Sequence, residues 1–95
     1  MNKYEVMVIV KPDLPEEGKK TLLNQINDVI TKNNGKVSQA NIWAEKRKLY
    51  FPLNKFREGT YCLVNFTAAA AAIKEIGHAY KLNEDILRVL FTKIE

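Results

Sequence analysis

Three adjacent cations, Lys46, Arg47 and Lys48, are the residues of this chain whose type and spacing best suit a chemical task. They stand between Ile42-Trp43 and Leu49-Tyr50-Phe51, residues that favour extended backbone. Successive strand residues point to opposite faces, so the run spreads positive charge over both sides of one strand. Its chemistry is the binding of phosphates, not the making of bonds. The net charge of +4 is concentrated around it. Residues 36–57 hold Lys36, Lys46, Arg47, Lys48, Lys55 and Arg57 against Glu45 alone, whereas the stretches on either side are balanced or slightly acidic. Cations also protect exposed strand edges from aggregation, so a cluster of this kind has a structural explanation beside the functional one.

Groups that could catalyse are scattered. His78 is the single histidine and has no cysteine or second histidine at ligand spacing, so no metal site is expected. Cys62 is the one cysteine, with apolar Leu63 and Val64 beside it, and reads as a buried thiol. Gly18, Gly35, Gly59 and Gly77 never cluster into a phosphate-cradling loop. The acidic pairs Glu16-Glu17 and Glu84-Asp85 lie where a helix start and a solvated turn place carboxylates, with no nucleophile nearby. Neither an enzymatic reaction, a cofactor nor a small-molecule substrate is expected.

The elements that must hold the basic run follow from hydrophobic spacing. Tyr4 to Val10 alternates as a strand, with Tyr4, Val6, Val8 and Val10 on one face and Glu5, Met7 and Ile9 on the other. Lys11-Pro12-Asp13 ends it, and Pro15 opens a helix with Glu16 and Glu17 in its first turn, carboxylates that suit the positive end of the helix dipole. Leu22, Ile26, Val29 and Ile30 form the stripe of that helix, and Asn33-Asn34-Gly35 ends it. A long extended segment from Lys36 to Pro52 follows, with a bulge expected near Glu45. Asn54 to Gly59 reads as a loop, and Thr60 to Phe66 as a strand whose outward set is Tyr61, Leu63 and Asn65. Thr67 is placed to cap a second helix running through Ala68 to Ala72, with Ala69, Ala72, Ile73, Ile76 and Tyr80 in its stripe. The loop from Lys81 to Asp85 leads to a last strand, Ile86 to Lys93.

At 95 residues with 46% apolar side chains, the chain suits one domain, residues 1–95, with a single core. No apolar run approaches the length of a membrane span, and the opening residues lead straight into a strand, not a secretory signal. With one cysteine the expected location is the cytoplasm, and no membrane partner is expected. The order β-α-β-β-α-β buries both helical stripes on one face of a four-stranded antiparallel sheet. That is an α+β, ferredoxin-like fold with strand order 4-1-3-2. Its helix-free face is expected to display Met7, Ile9, Tyr61, Leu63 and Leu90, with Glu5 and Arg88 among them. Apolar side chains gathered on an uncovered face indicate a protein-partner surface.

Across the whole chain these residues resemble the bacterial ribosomal small-subunit protein six family. The matching pieces are Tyr4-Glu5, Pro12-x-Leu14, Asn34-Gly35, Trp43 before the basic run, Arg47-Lys48-Leu49 leading to Phe51-Pro52-Leu53, Gly59-x-Tyr61 and Ile86-x-Arg88. Two features depart from the family pattern. Ala44-Glu45 stands where a glycine is expected, with one extra residue between Trp43 and Leu49, and the acidic C-terminal tail of many relatives is not present in these 95 residues. The resemblance implies a structural protein of the small ribosomal subunit that binds the central domain of small-subunit ribosomal RNA together with ribosomal protein eighteen. It implies RNA contacts at Lys46, Arg47 and Lys48, with Arg88 and Lys3 as weaker carry-overs; Lys81 is a further candidate from its charge.

Two other functions fit the element order. One is a single-strand RNA-binding module of the RNA-recognition-motif type, for which Tyr61 is at a base-stacking position while Leu63 and Met7 make the other stacking sites aliphatic. The other is a homo-oligomeric regulatory module that binds a small effector. Small acyl-phosphate hydrolases share the fold, but their glycine-rich arginine loop is replaced here by Lys11-Pro12-Asp13-Leu14-Pro15. A cytoplasmic ribosome is the expected setting, with an organellar ribosome as the alternative.

Overall fold

The computed structural model describes residues 1–53 and 56–94, with the side chains of residues 43–47 and 50–53 left aside. The chain order is β1 (Asn2–Val10), α1 (Glu16–Lys32), β2 (Lys36–Leu53), β3 (Phe56–Ala68), α2 (Ala72–Lys81) and β4 (Ile86–Lys93). The strands form one sheet in the order β2-β3-β1-β4, all neighbours antiparallel, which is the expected 4-1-3-2 order seen from the other edge. The basic run therefore lies on an edge strand, and β1 is central.

Alternation drives the two inner strands. Tyr4, Val6, Val8 and Val10 of β1 and Cys62, Val64, Phe66 and Ala68 of β3 are all buried toward the helices. Leu22, Ile26 and Ile30 of α1 recur every four residues and close over them, and α2 adds Ile76 and Tyr80. Phe66 links the strands to the helix layer, its ring centroid lying 5.7 Å from Tyr4 and 6.4 Å from Phe91. Phe91 in turn stacks on Tyr80 at 6.3 Å. Such ring pairs add a directional contribution to the burial of their area.

The end of α1 divides its tasks between two residues that the sequence groups together. Asn34 takes the left-handed conformation, with φ 64°, and no glycine of the described chain has positive φ. Gly35 is required for a different reason. Its N–H donates to the Ile30 carbonyl at 2.9 Å, and a Cβ there would lie 2.6 Å from Cγ2 of Ile30.

Two expected boundaries are corrected. Phe56 to Gly59 belong to β3, not to a loop, because β3 continues its pairing with β2 through Leu53↔Phe56 and Lys48↔Glu58; residues 54 and 55 lie outside the described residues. The second helix begins at Ala72, not near Ala68. Thr67 and Ala68 are still paired with β1 opposite Lys3 and Asn2, so sheet hydrogen bonding overrides the helix propensity of the alanine run. Ala69 is exposed and contributes nothing to the stripe. The bulge expected near Glu45 is present as a register shift between Ala44 and Arg47, one of several along β2.

Candidate functional site

The helix-free face is organised in rows that run across the strands. Asn41, Leu63, Met7 and Leu90 form one row from β2 to β4, and Gln39, Asn65, Glu5 and Thr92 form the row beside it. On the other side of the first row, Tyr61, Ile9 and Arg88 follow one another across β3, β1 and β4. Leu90 is 49% exposed, and Met7, Tyr61 and Leu63 are half-buried. Ile9 is a correction to the expected display, since it is only 7% exposed. Gly59 approaches it so closely that a Cβ would stand 2.5 Å from Ile9 Cγ2. Ile9 therefore supports this face from below, while Met7, Tyr61, Leu63 and Leu90 present it.

The cations expected to meet RNA do not form one cluster. Lys48 is exposed on β2, while the side chains of Lys46 and Arg47 lie outside the described residues, as do those of Trp43 and Tyr50. Lys81 and Arg88 meet at the opposite edge, where both line a hollow of about 350 Å³ along β4. Next to it, a groove of about 630 Å³ between α2 and β4 carries Lys74, His78 and Lys81 on its rim. From the sequence, His78 stands out only as the single histidine and Lys74 not at all; their spacing of four along α2 is the signal that places them on one face. Lys3 is exposed on the central strand, opposite Thr67.

The groups that could react are accounted for locally. Burial pushes the Cys62 thiol up to about 11, an effect that the nearby Lys19 ammonium partly opposes. The thiol is thus held in its unreactive form at neutral pH. His78 is exposed on α2. Among the described residues, no group of three or more His, Cys, Asp and Glu side chains is placed to hold a metal ion, and no helix is long and apolar enough to cross a membrane.

A sheet backed by helices on one side and offering aliphatic, amide and charged side chains on the other is a surface for binding, and the class it defines is an interaction protein of ferredoxin-like fold. The chain belongs to the family described as Ribosomal protein S6, whose model matches residues 3–93. It is 41% identical over 95 residues to the small ribosomal subunit protein bS6 of Exiguobacterium sibiricum, covering 100% of this chain and 99% of the relative. Identity to the protein of the same name from Halalkalibacterium halodurans is 40%, with the same coverage. The crystal structure of 30S ribosomal protein S6 from Thermotoga maritima superposes with a TM-score of 0.87 at 26% identity, covering 97% of this chain and 86% of that one. The resemblance seen in the sequence is therefore correct, and the family is structural, not enzymatic. Membership favours a small-subunit ribosomal protein over the regulatory module and the RNA-recognition-motif module.

Proposed function

We propose that this small-subunit protein binds the central domain of small-subunit ribosomal RNA with its charged edges and docks ribosomal protein eighteen on its helix-free sheet face, in a cytoplasmic ribosome. The observation that carries the reading is the row Asn41, Leu63, Met7 and Leu90, which crosses the sheet with no helix above it. Aliphatic side chains at the middle of such a face suit a protein surface, because burying them removes apolar area from water without demanding hydrogen-bond partners. Nucleobases would instead need aromatic platforms at these positions. Lys46, Arg47 and Lys48 stand on the edge strand beside that face, and Lys81, Arg88 and Lys3 are the further phosphate contacts. Cations on strands present charge and donors without a groove-inserting element, so they orient a folded RNA and do not read its sequence.

Leu63→Glu tests the partner surface. The residue is half-buried at the centre of the face, so the isolated fold tolerates the change while an apposed apolar surface does not. Affinity for ribosomal protein eighteen, measured with the RNA present, is expected to fall by more than about 2 kcal/mol, the scale of an interface hot spot. Unchanged affinity in a normally folded variant would sink the assignment.

A further inference from the structure

The row beside the apolar one has a chemistry of its own. Glu5 on β1 stands directly opposite Asn65 on β3, and Asn65 stands opposite Gln39 on β2. Side chains opposed in this way on one face of a sheet come within about 5 Å at Cβ. Together with Asn41, Ile42 and Leu63 they line a notch of about 270 Å³ that opens on the helix-free face. The side-chain oxygen of Asn65, one of these lining residues, is buried and has no hydrogen-bond partner. A buried acceptor left unpaired costs the desolvation of that group, and native structures seldom keep one without a reason. The notch thus combines an unanswered acceptor, the Glu5 carboxylate and two further amides, with the aliphatic wall of Leu63.

We infer that this notch receives the guanidinium of an arginine side chain from the protein docked on the sheet face. The inference rests on the proposed docking of ribosomal protein eighteen there, and it names the anchor. Three properties of arginine match the notch. Its planar fork carries several donors and no acceptor, so it satisfies a carboxylate and an amide oxygen at once without leaving a lone pair buried against them. Its positive charge complements Glu5, and a charge-assisted bond of this kind is about twice as strong as a neutral one. Its aliphatic stem lies along an apolar wall while the head reaches polar groups, as Leu63 permits. A lysine answers the charge but presents a point, not a fork. The notch adjoins Leu63 and Met7, so one partner segment fills the apolar row and delivers the anchor in the same approach.

The test uses the full chain with purified ribosomal protein eighteen and the central-domain RNA. Glu5→Gln keeps the shape of the side chain and removes its charge; Asn65→Ala removes the orphan acceptor. Each variant is first checked for normal urea unfolding, and the near-isosteric Glu5→Gln decides if Asn65→Ala does not fold. Affinity for ribosomal protein eighteen is expected to fall about 30-fold with Glu5→Gln, the effect of truncating one side of a buried charge pair. Replacing the partner's arginines one at a time by Gln should identify one whose loss adds little to that of Glu5→Gln, the non-additivity of a direct pair. If Leu63→Glu weakens binding while both notch variants bind normally, the anchor is overturned and the docking face stands. If Leu63→Glu also binds normally, the face itself is wrong and the anchor falls with it. Equal weakening of RNA binding by Glu5→Gln when the partner protein is omitted would make the occupant a nucleobase edge and overturn the arginine.

Discussion

The Tyr80 hydroxyl donates to the Ile26 carbonyl oxygen at 2.8 Å, in a buried contact that joins residues 54 apart in sequence and ties α2 to the middle of α1. Apart from the stack of Tyr80 on Phe91, both helices sit on the sheet through aliphatic side chains, which press without direction. This bond fixes a point at which α2 meets α1. Burial holds the Tyr80 phenol well above its ordinary value, so it remains a donor throughout the physiological range. Tyr80→Phe keeps the ring and its stacking on Phe91 while deleting the donor. Urea unfolding should show a loss of about 1 kcal/mol, the usual net contribution of one intramolecular hydrogen bond. No change in the unfolding midpoint would mean that the stacked rings position α2 without it.

Gly59 is expected to reject any side chain. The gap that its missing Cβ leaves is filled by the Ile9 methyl group at 2.5 Å, and Leu49 lies 3.4 Å away on another side. Gly59→Ala overpacks this point and should destabilise the fold by about 1–3 kcal/mol. Because Ile9 underlies the helix-free face, the same variant should also weaken partner binding. Loss of stability with wild-type affinity for ribosomal protein eighteen would separate Ile9 from the docking surface.

Stability should fall at alkaline pH, and Cys62 gives the fall its onset. The folded thiol titrates near 11, raised from an ordinary 9.0, whereas the unfolded thiol is free to ionise at the lower value. A group raised in the folded state favours folding fully below the unfolded value, and the advantage is lost as pH climbs through the window from about 9 to about 11. The loss is roughly 1–2 kcal/mol at the upper end, with Tyr80 acting in the same direction at still higher pH. Urea midpoints for wild type and Cys62→Ala should diverge least above pH 9 if the thiol is responsible, since the variant lacks that loss. Parallel curves for the two proteins would place the alkaline sensitivity elsewhere.

The element order, the strand order and the two faces of the inner strands were legible because β1 and β3 alternate cleanly and α1 carries Leu22, Ile26 and Ile30 at helical spacing. What was hidden depends on partners distant in sequence. Helix propensity alone extends α2 back through Ala68, and only the pairing of β3 with β1 shows why it does not extend so far. Ile9 has the right parity to be displayed, yet it is buried and packs close against a glycine 50 residues away in the chain. The notch was least visible of all. Gln39 and Asn41 join Asn65 and Glu5 only through the β2 register, which shifts between Val37 and Gln39, so no count along the sequence brings them together.

If the proposed RNA contacts hold, the two charged edges are expected to make separable contributions to binding, and their separation can be measured. Lys48 is on the β2 edge with Lys46 and Arg47, while Lys81 and Arg88 share a hollow at the β4 edge, on the far side of β3 and β1. A rigid RNA helix touching one edge need not reach the other. Each phosphate neutralised by a side chain releases counterions and steepens the dependence of log affinity on log salt. Replacing Lys46, Arg47 and Lys48 together by Ala should flatten that slope by about 2 units if all three meet phosphates, with urea stability unchanged. The pair Lys81→Ala and Arg88→Ala should flatten it by about 1 unit or more if the RNA also spans the β4 edge, and leave it alone if it does not. Binding is measured with ribosomal protein eighteen present, so that an effect on docking is distinguished by repeating the titration without it. A wild-type slope in the triple variant together with a flattened slope in the pair would move the RNA to the β4 edge. A triple variant that loses stability as it loses binding would mean that the run holds its own strand against the sheet, and the edge-protecting role of the cations would then account for their clustering.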